Sequence, residues 1–385
     1  MEVKVVGTTE KINNQENAKR LVQNHARKCY TEKIWDELVE ENFKSGLVKS
    51  LIDRGHHSPF DHFVINFDFD GVPKALAMAF NNQSVYTTSE KSARYTKMSK
   101  IPEHQLGLYD KWGSWFHSEI SKRFSESDFP KLYIKGSDDK TPAEKLSQEN
   151  ARYMTSVFTP SSMTHTVSWR QANILYHSFN DFIKENEKSS DEFKLRLADS
   201  MRGYVDSSAV KDWIIDEAQV KMKGGISLRF FRDEPVEEVL SCKDIYSINY
   251  SASFASLAQL HRHRLAVYDV SNGWQKGAPL DFYIPRLVEA AGKSNEWLED
   301  AESVSKYDFP QAQLLKVGER GMREHIIAKS LERMCGLAQL ETTRNHAEVL
   351  ERLGIEIGPS CVISGEGCKK GGCIFGPDQY LERLI

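Results

Sequence analysis

A chain of 385 residues with a formal net charge of −4 is long enough for two domains with cores of their own and too nearly neutral for bulk affinity toward nucleic acid or anionic membrane. Any phosphate it binds must be met by local cations. No apolar run approaches a membrane span, the Met1-Glu2-Val3-Lys4 start lacks the basic and apolar regions of a signal peptide, and six cysteines are too few for a disulfide framework; together these imply a cytoplasmic protein.

Early in the chain, Arg54-Gly55-His56-His57-Ser58-Pro59-Phe60-Asp61-His62 gathers imidazoles, a hydroxyl and a carboxylate. Taken singly, each is an ordinary surface or core residue. Residues 64–70 alternate apolar and polar, which predicts a half-buried strand stopping at Gly71. Residues 74–81 read as a helix leading into a loop that carries Ser89-Glu90-Lys91-Ser92-Ala93-Arg94-Tyr95. After an exposed loop at 136–141 come Glu149-Asn150-Ala151-Arg152 and then Thr166-Val167-Ser168-Trp169-Arg170. Helical periodicity is expected over 173–183, a solvated loop over 185–192, and a boundary at Lys221-Met222-Lys223-Gly224-Gly225.

The second half follows the same order. Residues 245–250 are strand-like, and 253–261 form a helix delivering Gln259-Leu260-His261-Arg262-His263-Arg264. Over 324–353, Ile327, Leu331, Met334, Ala338 and Leu350 recur at near-helical spacing and predict a core-facing stripe. The tail places Cys361, Cys368 and Cys373 among glycines, where three thiolates could hold zinc or iron if a fourth ligand joined them. The CxxC pairs of common zinc modules are absent, and free thiols are the alternative.

The two short motifs resemble the halves of one stretch, RHRxxSxNExSxRY, that is continuous in the flavin-dependent thymidylate synthases, where a Gln and an H-x-T/S-P-F-E-H segment precede it. Counting back from Arg94-Tyr95 puts Asn82, Gln83 and Ser84 at the RHR positions. Counting forward from Arg262 puts Val270, Asn272, Trp274 and Gln275 where the family has Glu, Ser, Arg and Tyr. Each copy keeps what the other lost. Glu149–Arg152 resembles the family's E-x-A-R, and Arg170 falls at its N-A-R arginine. Arg333-Met334-Cys335-Gly336-Leu337-Ala338-Gln339-Leu340-Glu341 matches R-x4-A-Q-x-E, whose first-copy equivalent lies near Phe179. Departures are Ser89 for the family's Asn and Met322-Arg323-Glu324 at the second N-A-R position.

The resemblance implies an α+β fold, a tandem repeat of two flavin-dependent thymidylate-synthase-like domains, each an antiparallel sheet with long helices. Its segments are 1–223, 224–353 and a Cys/Gly-rich tail at 354–385. It implies FAD bound through His56, Ser58, Asp61, Glu90, Arg170, His263 and Arg264. Methylenetetrahydrofolate and NADPH are the implied co-substrates. The nucleotide would meet Glu90, Lys91, Ser92, Ala93, Arg94 and Arg152 from one copy and Gln259, Arg262 and Arg333 from the other. The implied assembly is a homodimer, a pseudo-tetramer of repeats, with one pyrimidine nucleotide per chain.

Those residue types suit that chemistry. An arginine fork matches phosphate oxygens, and fixed cations such as Arg262 and Arg333 stabilise negative charge on a uracil ring's carbonyl oxygens, which makes them the catalytic candidates. The implied activity is one-carbon transfer to C5 of a uracil nucleotide, dUMP to dTMP. Alternatives are C5 methylation or hydroxymethylation of another pyrimidine nucleotide and, in another class, a non-catalytic nucleotide-binding regulator. Cys335 beside Arg333 is a further candidate, as a nucleophile on C6, though nothing around it resembles the folate-only synthases.

Overall fold

A computed structural model describes residues 1–83, 85–93, 96–98, 100–125, 140–215, 231–232, 239–242, 244–263, 265–271, 280–355, 358–359, 361 and 381–385. The described chain has a mixed α+β fold. It divides into two compact units, Met1–Lys91 with Pro160–Leu228, and Ser92–Thr159 with Arg229–Ile385.

In the first unit, β1 (Glu2–Thr8), β2 (Val64–Pro73), β3 (Tyr86–Glu90) and β4 (Pro160–Ser168) form an antiparallel sheet in the order β1-β2-β4-β3. Alternation along β2 buries Ile65, Phe67 and Phe69 on one face. The strand does not stop at Gly71. Its register shifts between Asp70 and Val72, with Gly71 at φ +78°, so the glycine forms a bulge and pairing continues to Pro73. β4 runs into the Trp169–Asn186 helix, where Ser168 Oγ accepts from Gln171 N at 3.1 Å and caps the first turn. This helix and the next, Glu192–Val205, shorten the expected solvated loop to 187–191. The core is aromatic: Phe80 packs against Phe69, Phe179 and Tyr204 with ring centroids 5.1, 5.0 and 5.1 Å apart.

The second unit carries β5 (Phe231–Arg232), β6 (Val239–Cys242), β7 (Ile245–Ser253), β8 (Val267–Ser271) and β9 (Leu314–Met322), in the order β5-β8-β9-β7-β6. All pairings are antiparallel except that of short β5 with β8. Apart from β5, the order β6-β7-β9-β8 repeats β1-β2-β4-β3. In each unit the second of these strands enters a short helix, Lys74–Asn81 or Phe254–Leu260, and the third enters a helix at its cap residue, Trp169–Asn186 or Arg323–Arg333.

The compact units do not follow the segments 1–223 and 224–353, because residues 92–159 pack with the second unit. Backbone pairing gives the reason. Ala312 N donates to Tyr153 O at 3.0 Å, Gln311 N to Thr155 O at 2.8 Å, and Val157 N to Phe309 O at 2.9 Å. Trp112 and Phe116 of the Glu103–Arg123 helix, with Tyr153, share a core with Leu287, Trp297 and Ile385. The expected boundary at 221–225 lies outside the described residues.

The stripe expected over 324–353 is also corrected. Two helices, Arg323–Arg333 and Leu340–Arg352, flank a connection at 334–339. Their phases are independent, so Met334 and Leu350 are buried while Ile327 and Leu331 are 42% and 44% exposed. Among the described residues, no helix is long and apolar enough to cross a membrane.

Candidate active site

A chain of buried hydrogen bonds in the second unit begins at Ser253, the N-cap of the Phe254–Leu260 helix. Its Oγ accepts from Ser256 N at 3.1 Å, while its own N–H and hydroxyl donate to the Glu341 carboxylate at 2.8 and 2.7 Å. Glu341, in the first turn of the Leu340–Arg352 helix, thereby fixes the start of the helix that carries Gln259. Burial raises the Glu341 pKa, opposed by hydrogen bonds from Tyr153 and Ser253 and by the Arg152 charge.

The network continues outward from Glu341. Tyr153 Oη donates to it at 2.6 Å, and burial followed by that carboxylate's charge pushes the phenol's pKa well up. Gln339 Nε2 donates to Tyr153 Oη, and Gln339 Oε1 accepts from both Gln259 Nε2 and Arg152 Nη2. Arg152 and Gln259, from motifs far apart in sequence, therefore meet on one amide. Gln339 and Glu341 went unassigned in the sequence reading although both stand in the R-x4-A-Q-x-E match; a glutamine and a glutamate flanking a helix start were the available signal.

Arg333 is the last residue of its helix, with its guanidinium 3.4 Å from the Glu332 carboxylate. Arg262 is half-buried just beyond the Phe254–Leu260 helix. Half-buried His263 has its pKa lowered by burial first, then by the charges of Lys329 and Arg333, which places it within electrostatic reach of both. Behind these residues lies a buried ion pair that sequence reasoning missed. Lys329 Nζ sits 2.7 Å from both Glu319 oxygens, Tyr246 and Tyr250 donate to that carboxylate at 2.9 and 2.7 Å, and the Tyr268 ring centroid lies 5.2 Å from Nζ. Burial, followed by the Glu319 charge, raises the pKa of both donating phenols. A glutamate inside the strand sequence Leu314–Met322 was the one hint of it.

The remaining candidates fall in both units. In the first, Glu90 pairs with Lys74 at 2.5 Å, and its other oxygen, Oε2, is buried without a hydrogen-bond partner. Asp61 accepts from Ser168 Oγ at 2.7 Å and pairs with Arg170 at 2.8 Å, so these two candidates do meet. His56 is half-buried in a T-shaped arrangement with the Tyr30 ring, and Ser58 is exposed. Lys91 is exposed, and its N–H donates to Ser162 O at 2.9 Å. Ser92 and Ala93 are half-buried and fall in the second unit, with Ser92 O accepting from Thr96 N at 2.9 Å. Arg94 and Arg264 lie outside the described residues. An imidazole, a hydroxyl and a guanidinium at partly exposed positions suit a diphosphate, and the unpartnered Glu90 oxygen suits a heterocycle N–H, so the first unit's donors fit a flavin dinucleotide.

The tail site lies largely beyond view: Cys368 and Cys373 are outside the described residues, and Cys361 is a half-buried free thiol. Among the described residues, no group of three His, Cys, Asp or Glu residues could hold a metal.

The family model described as thymidylate synthase complementing protein matches residues 11–184. No curated protein matches the chain. Among solved structures, thymidylate synthase X from Helicobacter pylori with FAD and dUMP is 17% identical, covering 58% of this chain and 98% of that one at a TM-score of 0.30; a second structure of that protein complexed with FAD and dUMP is 18% identical with the same coverage and TM-score. The UMP/dUMP methylase PolB from Streptomyces cacaoi bound with 5-Br dUMP is 14% identical, covering 46% of this chain and 76% of that one, also at 0.30. Likenesses this slight carry no inference about the fold or the site. The family match spans residues 11–184, a little under half of the chain, and makes that segment similar to the thymidylate synthase complementing proteins.

Proposed function

We propose that the protein is a flavin-dependent thymidylate-synthase-like transferase that places a one-carbon unit on C5 of a uracil nucleotide, converting dUMP to dTMP. The observation that carries this reading is the meeting of Arg152 and Gln259 on Gln339, which brings together a nucleotide ligand implied for the first copy and one implied for the second. The shared strand order of the two units supports a tandem repeat with sequence segments 1–223 and 224–353. The different equipment of those units supports one nucleotide site per chain.

Arg152 meets the nucleotide phosphate, with Ser92 and Arg94 completing its shell. Gln259 reads the pyrimidine edge. Arg333 and Arg262 hold negative charge on the ring carbonyl oxygens as C5 becomes nucleophilic; the C5–H bond breaks as the new C5–C bond is completed, and its proton leaves the ring. FAD would be held by His56, Ser58, Asp61, Glu90, Arg170, His263 and Arg264; reduced by NADPH, it would supply the hydride, and methylenetetrahydrofolate would supply the carbon.

The test is anaerobic incubation of the reduced holoprotein with methylenetetrahydrofolate and dUMP, UMP or dCMP, with products read by mass. We expect dTMP from dUMP, saturation near one nucleotide per chain and a homodimer by sedimentation. Arg152→Ala should weaken dUMP binding by roughly ten- to a hundredfold, as expected for a lost charge-assisted contact, while altering the chemical rate less. Nucleotide binding without bound flavin or turnover would replace this reading with that of a regulator.

A further inference from the structure

Gln259 can serve a pyrimidine edge in two ways, because its amide presents a donor at one end and an acceptor at the other. Uracil offers an acceptor at O4 and a donor at N3–H. Cytosine offers the reverse, a donor at its 4-amino group and an acceptor at N3. An amide free to turn over accepts both rings, whereas one held in a single sense discriminates between them.

The buried network fixes that sense. Glu341 is held by the Ser253 N–H and hydroxyl and also receives the Tyr153 proton. With its proton committed there, the Tyr153 oxygen is left to accept, and Gln339 Nε2 donates to it. Gln339 Oε1 must then face the other way, where it accepts from Arg152 and Gln259. Arg152 holds that choice firmly, since a guanidinium has donors only. Turning Gln259 over would set its oxygen against the Gln339 oxygen. Gln259 therefore keeps Nε2 toward Gln339, with its other N–H and its carbonyl lone pairs remaining for a ligand.

Resting on the nucleotide-binding reading above, we infer that Gln339 and Tyr153 are positioning residues which set the amide polarity of Gln259 and thereby make the site select a uracil over a cytosine nucleotide. Neither residue touches the substrate. Glu341 anchors the chain of polarity at its buried end, and Arg152 anchors it at the ligand end.

Affinities of the full-length holoprotein for dUMP and dCMP, measured by calorimetry, test this. Wild type should prefer dUMP. Gln339→Leu removes the acceptor, and Tyr153→Phe removes the group that orients Gln339, so each should shrink the dUMP-to-dCMP affinity ratio by about tenfold or more. Tyr153→Phe keeps the ring packed against Tyr283 and Trp297, whose centroids lie 5.2 and 6.1 Å away, and decides the matter alone if Gln339→Leu does not fold. A purely structural role would weaken both nucleotides together and leave the ratio unchanged, which would overturn the inference. Equal binding of the two by wild type would also overturn it while leaving the nucleotide site standing. Binding of neither nucleotide would remove the functional reading itself, and this inference with it.

Discussion

His165 in the first unit and Glu319 in the second hold the same place in the shared strand order. Each lies three residues before the cap of the following helix, and each faces a residue on both flanking strands: Phe67 and Thr88 for His165, Ile248 and Tyr268 for Glu319. Around His165 the first unit packs rings, with Phe80 and Tyr86 both 5.3 Å away by centroid. Around Glu319 the second unit places Lys329 and two tyrosine hydroxyls. The following helices continue the contrast, since counting on from the caps sets Leu175 against Lys329 and Phe179 against Arg333. One unit has filled this region with an aromatic core; the other has kept it polar and charged. The same strand order therefore serves as a scaffold in one unit and as a candidate site in the other, and the side chains at a few register positions decide which.

Exchange at the Phe179 and Arg333 positions should break the comparison most visibly. Phe179→Ala empties a fully buried position and should cost about 3–5 kcal/mol in denaturant unfolding. Arg333→Ala should cost less stability than Phe179→Ala while lowering the chemical rate by about a hundredfold or more. Equal stability losses, or normal turnover by Arg333→Ala, would erase the proposed division between core and site.

The Glu319–Lys329 pair offers a second test, of similar or slightly smaller size. Lys329→Met leaves a buried carboxylate without its counter-charge and should cost about 3–5 kcal/mol. Adding Glu319→Gln should recover most of that loss, because Tyr246 and Tyr250 can re-form hydrogen bonds to a neutral amide. A double variant as unstable as the single one would show that packing, rather than the stranded charge, sets the cost.

The smallest expected effect belongs to the first unit alone. His25 and His62 stack with centroids 3.7 Å apart; burial, and after it the neighbouring His62, lowers the His25 pKa from 6.5 to about 4. The folded protein resists a proton that the unfolded chain accepts, so this contribution to stability is complete above about pH 6.5 and is lost as pH falls toward about 4. His25 is partly exposed, and solvent screening limits the effect to roughly 1 kcal/mol. Wild type should lose unfolding free energy relative to His25→Phe as pH falls across that range; a slope unaffected by the substitution would assign the acid loss to other groups.

By itself the sequence determined the local elements and the divided motif. Period-two alternation marked β2 and β7 because side chains of a strand point to opposite faces. Arg152, Gln259, Arg262 and Arg333 stood out by residue type and by their order in the family motif. Gly71 misled, since a left-handed glycine marks a strand end and a bulge equally well. The stripe from Ile327 to Leu350 misled because spacing does not reveal that a helix has ended and another begun in a new phase.

Only tertiary structure decided that residues 92–159 belong with the second unit, because that depends on the pairing of 153–157 with 309–312 and on the core shared by Trp112 and Trp297. It also decided that Gln339, Tyr153 and Glu341 act together. Hydrogen-bond polarity passes from group to group only where donors and acceptors touch, and those contacts join residues that the chain itself keeps far apart.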